Sequence, residues 1–266
     1  MRFFIPTFIL FAASISAFGQ VVDGKQIAKA ELITNAEDFT KPFMVGIRFV
    51  LEPDWYLYWK NPGDSGLPIE VQWDLPKNWS VSELQHPVPA KFAYDNMISY
   101  GYKKEVVLLA TVTPGTERMD TLKAKLDWLV CKESCIRGKA DVSLSLWRNA
   151  NGAPVETILA EARKKLPRSA RELSLVPSSV RQRETNQGWE VEVDLTGRDG
   201  SSVTDFYPES TDNILIDFSS IRIENQVLRF RLDQQDKASV VREIRGLFIA
   251  GARGYQAVIP VNLKSM

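Results

Sequence analysis

Leu122-Lys123-Ala124-Lys125-Leu126-Asp127-Trp128-Leu129-Val130-Cys131-Lys132-Glu133-Ser134-Cys135-Ile136 is the stretch that decides how this sequence folds. Successive side chains of a β-strand point to opposite faces, so strict alternation marks a strand with one face in a core. Leu122, Ala124, Leu126, Trp128 and Val130 share one face, against Lys123, Lys125 and Asp127 on the other. Lys132-Glu133-Ser134 interrupts the rhythm, and Ile136, Ala140, Val142, Leu144 and Leu146 form a second inward set. The spacing predicts two strands joined by a tight turn. Cys131 and Cys135 have the parity opposite to both inward sets. Unless a bulge shifts the register, both sulfurs are expected on the outer face of the hairpin, within reach of an incoming thiolate.

The same period of two recurs along the chain. Phe43, Val45, Ile47, Phe49 and Leu51 line one face, as do Ile69, Val71, Trp73 and Leu75. After residue 150 the rhythm breaks once. Val155, Ile158, Leu159, Ala162 and Leu166 stand at helical spacing, with Pro154 placed to start a helix and Pro167 to end it. Alternation then resumes in Trp189, Val191, Val193 and Leu195, in Leu228, Phe230 and Leu232, and in Tyr255, Ala257, Ile259, Val261 and Leu263. Many short strands separated by turn signals predict an all-β chain of two immunoglobulin-like β-sandwich domains. The expected division is residues 20–150 and 168–266, joined by a short amphipathic helix over 151–167. The apolar stripe of that helix is expected to pack between the two domains.

Lys plus Arg number 33 and Asp plus Glu number 33, so no bulk field attracts nucleic acid or an anionic membrane surface. No basic run, zinc-like cluster or phosphate-cradling glycine loop is present, which argues against nucleic-acid binding. The N-terminus carries Arg2, an apolar run from Phe3 to Ser16, and small residues at Ala17 and Gly19. This is the pattern of a cleaved signal peptide over residues 1–19, with Gln20 as the first mature residue. Beyond it no apolar stretch is long enough to cross a membrane, so the mature chain is expected to be exported and soluble.

In an exported protein two cysteines form a structural disulfide by default. This pair would close a ring of only five residues, worth about 2 kcal/mol on the chain-entropy scale, against about 4.7 for a 100-residue loop. Its expected place on the polar face and the nearby Lys132, Arg137 and Lys139 suit an exchanging thiol, because positive charge lowers a thiol pKa. Asp127 and Glu133 pull the other way. Lys132 and Arg137 are the candidate tuning residues. From the residues alone, redox exchange, a structural disulfide and metal capture all stay open. Metal capture has few ligands: His86 is the only histidine, expected in a solvated loop, so two thiolates and one distant imidazole could hold Cu(I) at most. No metal site and no cofactor are expected.

Trp55-Tyr56-Leu57-Tyr58-Trp59-Lys60-Asn61-Pro62-Gly63-Asp64-Ser65-Gly66-Leu67-Pro68 resembles the Y-W-x-N-P-G-D-S-G-x-P signature of DsbD/ScsB-type periplasmic domains. Tyr100-Gly101-Tyr102, followed by the apolar run Val106 to Ala110, is similar to the next landmark of that family. Trp128-Leu129-Val130-Cys131-Lys132-Glu133-Ser134-Cys135-Ile136 resembles its W-L-V-C-x-x-x-C-I-P segment. The resemblance implies an immunoglobulin-like fold and a redox-active pair, Cys131 and Cys135. It implies a periplasmic thiol:disulfide interchange component that passes reducing equivalents between a membrane-embedded thiol transporter and thioredoxin-like partners. It also implies an aromatic cap over the pair, for which Phe92 and Tyr94, just after Pro87-Val88-Pro89, are the candidates. Arg137 stands where the family commonly has proline, His86-Pro87-Val88-Pro89 where it often has W-P-x-P, and Tyr56 where it often has histidine. The sequence holds no transmembrane carrier and no C-x-x-C module, so another protein would have to supply electrons. The competing reading is a non-enzymatic envelope binding module with a structural disulfide, and a copper-handling protein is a third.

Asp64 could pass for a catalytic carboxylate, but the turn formers around it predict side-chain capping of the loop backbone. Trp55, Leu57 and Trp59 share an inward face, which leaves Tyr56 and Tyr58 on the other. If that face bears the cysteines, these two tyrosines line the site.

Overall fold

Alternation becomes structure almost strand for strand. The computed structural model describes residues 21–22, 25–95, 97–147, 153–173, 179–196, 203–211 and 213–264, and the expected signal peptide lies outside them. A small hairpin, β1 (Val21–Val22) and β2 (Lys25–Gln26), is followed by β3 (Ala28–Ile33), β4 (Phe43–Leu51), β5 (Tyr56–Gly63) and β6 (Glu70–Asp74). Then come β7 (Ser80–Val81), β8 (Ala90–Tyr94), β9 (Met97–Lys103), β10 (Glu105–Thr113), β11 (Thr121–Cys131) and β12 (Cys135–Ser145). After α1 (Ala153–Lys164), the chain continues with β13 (Arg168–Ser169), a 3-10 turn at Ala170–Leu173, β14 (Ser179–Thr185) and β15 (Gly188–Asp194). It ends in β16 (Asp205–Pro208), β17 (Ile214–Glu224), β18 (Val227–Gln234), β19 (Val241–Ala250) and β20 (Arg253–Leu263).

Two sheets form the N-terminal sandwich: β3-β4-β10-β7, and β12-β11-β5-β9-β8 with β6 also paired to β11. Phe43, Val45, Ile47, Phe49 and Leu51 of β4 meet Leu122, Ala124, Leu126, Trp128 and Val130 of β11 in one buried core. Burying such side chains is the main favourable term, about 1.5–3 kcal/mol for each large apolar group. In the C-terminal sandwich, β13-β20-β19-β16 faces β14-β15-β18-β17. Its core is built from Trp189, Val191, Val193, Leu228, Phe230, Leu232, Tyr255, Ala257 and Ile259. Among the described residues the protein is therefore all-β apart from α1 and the short 3-10 turn, with two immunoglobulin-like sandwiches joined by the helix.

The helix does not pack between the sandwiches, as its stripe suggested. Leu159 and Ala162 are buried against Ile33, Val107 and Leu109, with Met44, Val155, Ile158 and Leu166 around them. All the partners in this cluster are on the β3-β4-β10 side of the N-terminal sandwich. The reason is visible in β10, where Val106, Leu108, Ala110 and Val112 enter the core while Val107 and Leu109 face the other way and are also buried. A strand buried on both faces reads as a continuous apolar run and needs a cover on its second face. Gly46 in β4 lets that cover approach, since a Cβ there would stand 3.0 Å from Leu159 Cδ2.

What joins the sandwiches is the outward face of β16 and β19. Tyr207, Leu247 and Ile249 belong to the core cluster of the N-terminal sandwich, although their strands are C-terminal. Asn61 Nδ2 donates to the Pro208 carbonyl at 2.8 Å, and the Lys60 ammonium lies 2.6 Å from Glu209.

Candidate functional site

β11 and β12 pair in register from Thr121↔Ser145 to Cys131↔Cys135, so the cysteines close the hairpin directly opposite one another. They are joined as a disulfide across the Lys132–Ser134 turn. The outer-face parity expected for the pair holds, because Val130 and Trp128 are buried in the core beneath it. Equal access to the two sulfurs does not follow. Cys131 is 2% exposed, whereas Cys135 is an exposed residue. Parity chooses a face, and only a neighbouring strand decides whether that face meets water.

The neighbour is β5. Its pairing sets Val130 against Leu57 and Cys131 against Tyr56. Leu57 and Trp59 enter the core, so Tyr56 and Tyr58 are delivered to the cysteine face. Tyr58 Oη donates to Cys131 Sγ at 3.0 Å and lies 3.6 Å from Cys135 Sγ. Tyr56 Oη is 3.4 Å from Tyr58 Oη, and the two rings meet edge to face with centroids 5.2 Å apart. Burial, then the Tyr58 hydroxyl, pushes the Tyr56 phenol above its ordinary pKa, so it stays protonated at any physiological pH. Phe92, from β8, lies against Tyr56 with ring centroids 4.9 Å apart.

Tyr94, the other cap candidate, is far more exposed than Phe92. It shares the parity of Phe92, but it stands two residues further along β8, beside the turn, and is 75% exposed. The candidate tuning cations are also committed elsewhere. Lys132 pairs with Asp54 at 3.3 Å, and Arg137 donates two hydrogen bonds of 2.7 Å to Asp127. The Arg137 hydrogen bonds, with help from Lys139, hold the Asp127 carboxyl below the usual range.

Two contributors were not found in the sequence. Lys103 faces Tyr56 across the β5–β9 pairing and lies 4.8 Å over the Phe92 ring. Gly66, at φ +106°, lies against the Tyr58 ring so closely that there is no room for a Cβ. Their signals were present but weak: alternation out of Tyr100-Gly101-Tyr102 for Lys103, and a glycine in a turn-rich loop for Gly66. Asp64 does not cap its own loop but ties that loop to β9, its carboxylate accepting from the Ile98 N–H at 2.6 Å.

His86 is not a solvated loop residue. It lines a crevice between the sandwiches with Trp59, Lys60, Glu209, Leu247 and Gln256. Its Nδ1 is buried with no partner among the described residues, and burial followed by Lys60 lowers its pKa to about 4. The disulfide lies instead against Tyr58 and across from Tyr56, so the three ligands of a Cu(I) site are not brought together. Among the described residues no group of three or more His, Cys, Asp or Glu side chains could hold a metal ion. None of the described helices is long and apolar enough to cross a membrane.

The family model described as thiol:disulfide interchange protein DsbD, N-terminal, matches residues 25–146, the span that holds this site. Among solved structures the chain is similar to the N-terminal periplasmic domain of ScsB from Proteus mirabilis. The TM-score is 0.67 at 18% identity, with 95% of this chain and 100% of that chain covered, a likeness of fold. No curated protein sequence matches the chain. Over residues 25–146 the chain is a DsbD N-terminal-like domain.

Proposed function

We propose that the protein is a periplasmic dithiol–disulfide exchange protein whose accessible sulfur is Cys135. One observation carries the assignment: a disulfide across a hairpin tip joins an exposed Cys135 to a Cys131 that is 2% exposed and accepts a hydrogen bond from Tyr58. An incoming thiolate attacks Cys135 Sγ, the sulfur–sulfur bond breaks, and Cys131 leaves as a thiolate. A lower leaving-group pKa speeds that step, and a hydroxyl donating to the developing thiolate lowers it. A second thiol of the donor then attacks the mixed disulfide and frees Cys135. The protein has gained two electrons and, on protonation, two protons. The reverse sequence passes them on.

By analogy with the family, the donor is a membrane-embedded thiol transporter and the acceptors are thioredoxin-like proteins. Residues 1–19 act as a cleaved signal peptide, 20–150 as the redox domain, 151–167 as the linker and 168–266 as the second domain. Phe92, Tyr56 and Tyr58 act as the cap. Single serine variants test the roles. Cys131→Ser is expected to form a stable mixed disulfide through Cys135 with a thioredoxin-like protein. Cys135→Ser, which leaves the covered sulfur, is expected to react at least about tenfold more slowly with an aromatic disulfide probe, since reaction requires access. Equal reactivity of the two variants would remove the assignment of roles.

A further inference from the structure

Phe92 reaches the site from an edge strand. Among the described residues β8 has one hydrogen-bonded neighbour, β9, and its other edge is not paired in any sheet. Such a strand is held weakly by its own backbone and opens at low cost. Something behind it has to fix the ring.

Consecutive strand residues project to opposite faces, and here the two faces serve different halves of the molecule. Phe92 stacks on Tyr56, on the cysteine side. Lys91, its neighbour, points the other way, and its ammonium lies 2.9 Å from Asp205 of β16 in the C-terminal sandwich. The two side chains retain 26% and 24% of their exposure, so this pair is less screened than a surface pair. In β9, Tyr100 packs against Tyr207 at 4.7 Å and Phe218 at 5.8 Å. In β5, which carries Tyr56 and Tyr58, Lys60 meets Glu209 at 2.6 Å and Asn61 donates to the Pro208 carbonyl at 2.8 Å. One short strip, residues 205–209, therefore contacts β5, β8 and β9, the strands that carry or flank the three rings.

We infer that Lys91 and Asp205 are positioning residues: their ion pair lets the C-terminal sandwich hold β8, and through it Phe92, over the Cys131 side of the disulfide. The second sandwich thereby sets how often the covered sulfur is uncovered. This rests on the exchange reading for its purpose, but not for its test.

The test is the rate at which iodoacetamide alkylates Cys131 in the full mature chain carrying Cys135→Ser. Lys91→Met keeps most of the aliphatic stem and removes the charge. Asp205→Asn removes the charge but keeps an oxygen for the Phe206 N–H, which donates to Asp205 at 2.8 Å. Each change is expected to speed alkylation about two- to fivefold, which is about 0.4–1 kcal/mol of opening free energy. The double variant should add little to either single one. Lys91→Arg, and the exchanged pair Lys91→Asp with Asp205→Lys, should return towards the parent rate. Phe92→Ala serves as the reference for an opened cover. A merely structural ion pair would shift the urea midpoint and leave the alkylation rate in native buffer unchanged. Unchanged rates in both charge variants, with Phe92→Ala fast, would overturn the inference, and so would fully additive effects. If Asp205→Asn does not fold, Lys91→Met against Lys91→Arg makes the same comparison. Alkylation needs no partner, so failure of the wild-type disulfide to exchange with thioredoxin would sink the exchange role and leave this result standing.

Discussion

Tyr58 is fully buried, with its hydroxyl 3.0 Å from Cys131 Sγ and the Gly66 backbone against its ring. A hydrogen bond to a charged group is worth about 1.5–3 kcal/mol, and each pKa unit about 1.36. Tyr58→Phe is therefore expected to raise the Cys131 thiol pKa in the reduced protein, read from thiolate absorbance in a pH titration. An unchanged titration would mean that the hydroxyl does not serve the thiolate. Gly66→Ala is expected to cost about 1–3 kcal/mol in urea unfolding, because a Cβ meets the Tyr58 ring and φ is +106°. At this scale parity puts the cysteines and the two tyrosines on the faces they occupy. It could not show that Cys131 is covered and Cys135 open, since that difference comes from β5 and β8, which are distant in the chain.

At the scale of elements, periodicity worked where one face of a strand meets the core and failed where both do. β15 and β18 alternate cleanly, as do β11 up to Val130 and β20 from Tyr255, and their inward residues are buried. β10 does not alternate, and its Val107 and Leu109 are the hidden reason that α1 lies where it does. A stripe of apolar residues shows that a helix packs but not on what, which is why the stripe of α1 was assigned to the wrong neighbour. Leu159, 2% exposed in that contact, gives the check. Leu159→Ala is expected to destabilise the protein by about 2–5 kcal/mol in urea unfolding, with no change in the rate of thiol–disulfide exchange. A slowed or quickened exchange would tie the helix to the site.

For the whole molecule, the interface between the sandwiches was the least legible part of the sequence. Tyr207, Leu247 and Ile249 read as ordinary strand residues, and His86 as a loop residue, until the two halves are docked. His86 makes that interface pH-sensitive. Its folded pKa of about 4 lies below its ordinary value of 6.5, so the unfolded chain takes up the proton first as pH falls. Its contribution is fully present above about pH 6.5 and is lost on descent towards about pH 4, up to about 3 kcal/mol in all. Carboxylates held low by cations, such as Asp127 and Glu192, lose their contributions only at lower pH. The urea midpoint is thus expected to fall between about pH 6.5 and about pH 4.5 in the wild type and to fall less in His86→Gln. A parallel fall in both would show that His86 is not the group responsible. The central claim, that the Cys131–Cys135 bond is an exchanging one, is tested most directly by its reduction potential, measured by equilibrating the purified protein in glutathione buffers. An exchanging pair requires a value of about −200 to −250 mV with rapid exchange, and a value below about −300 mV with slow exchange would make the pair a structural staple and contradict the exchange role.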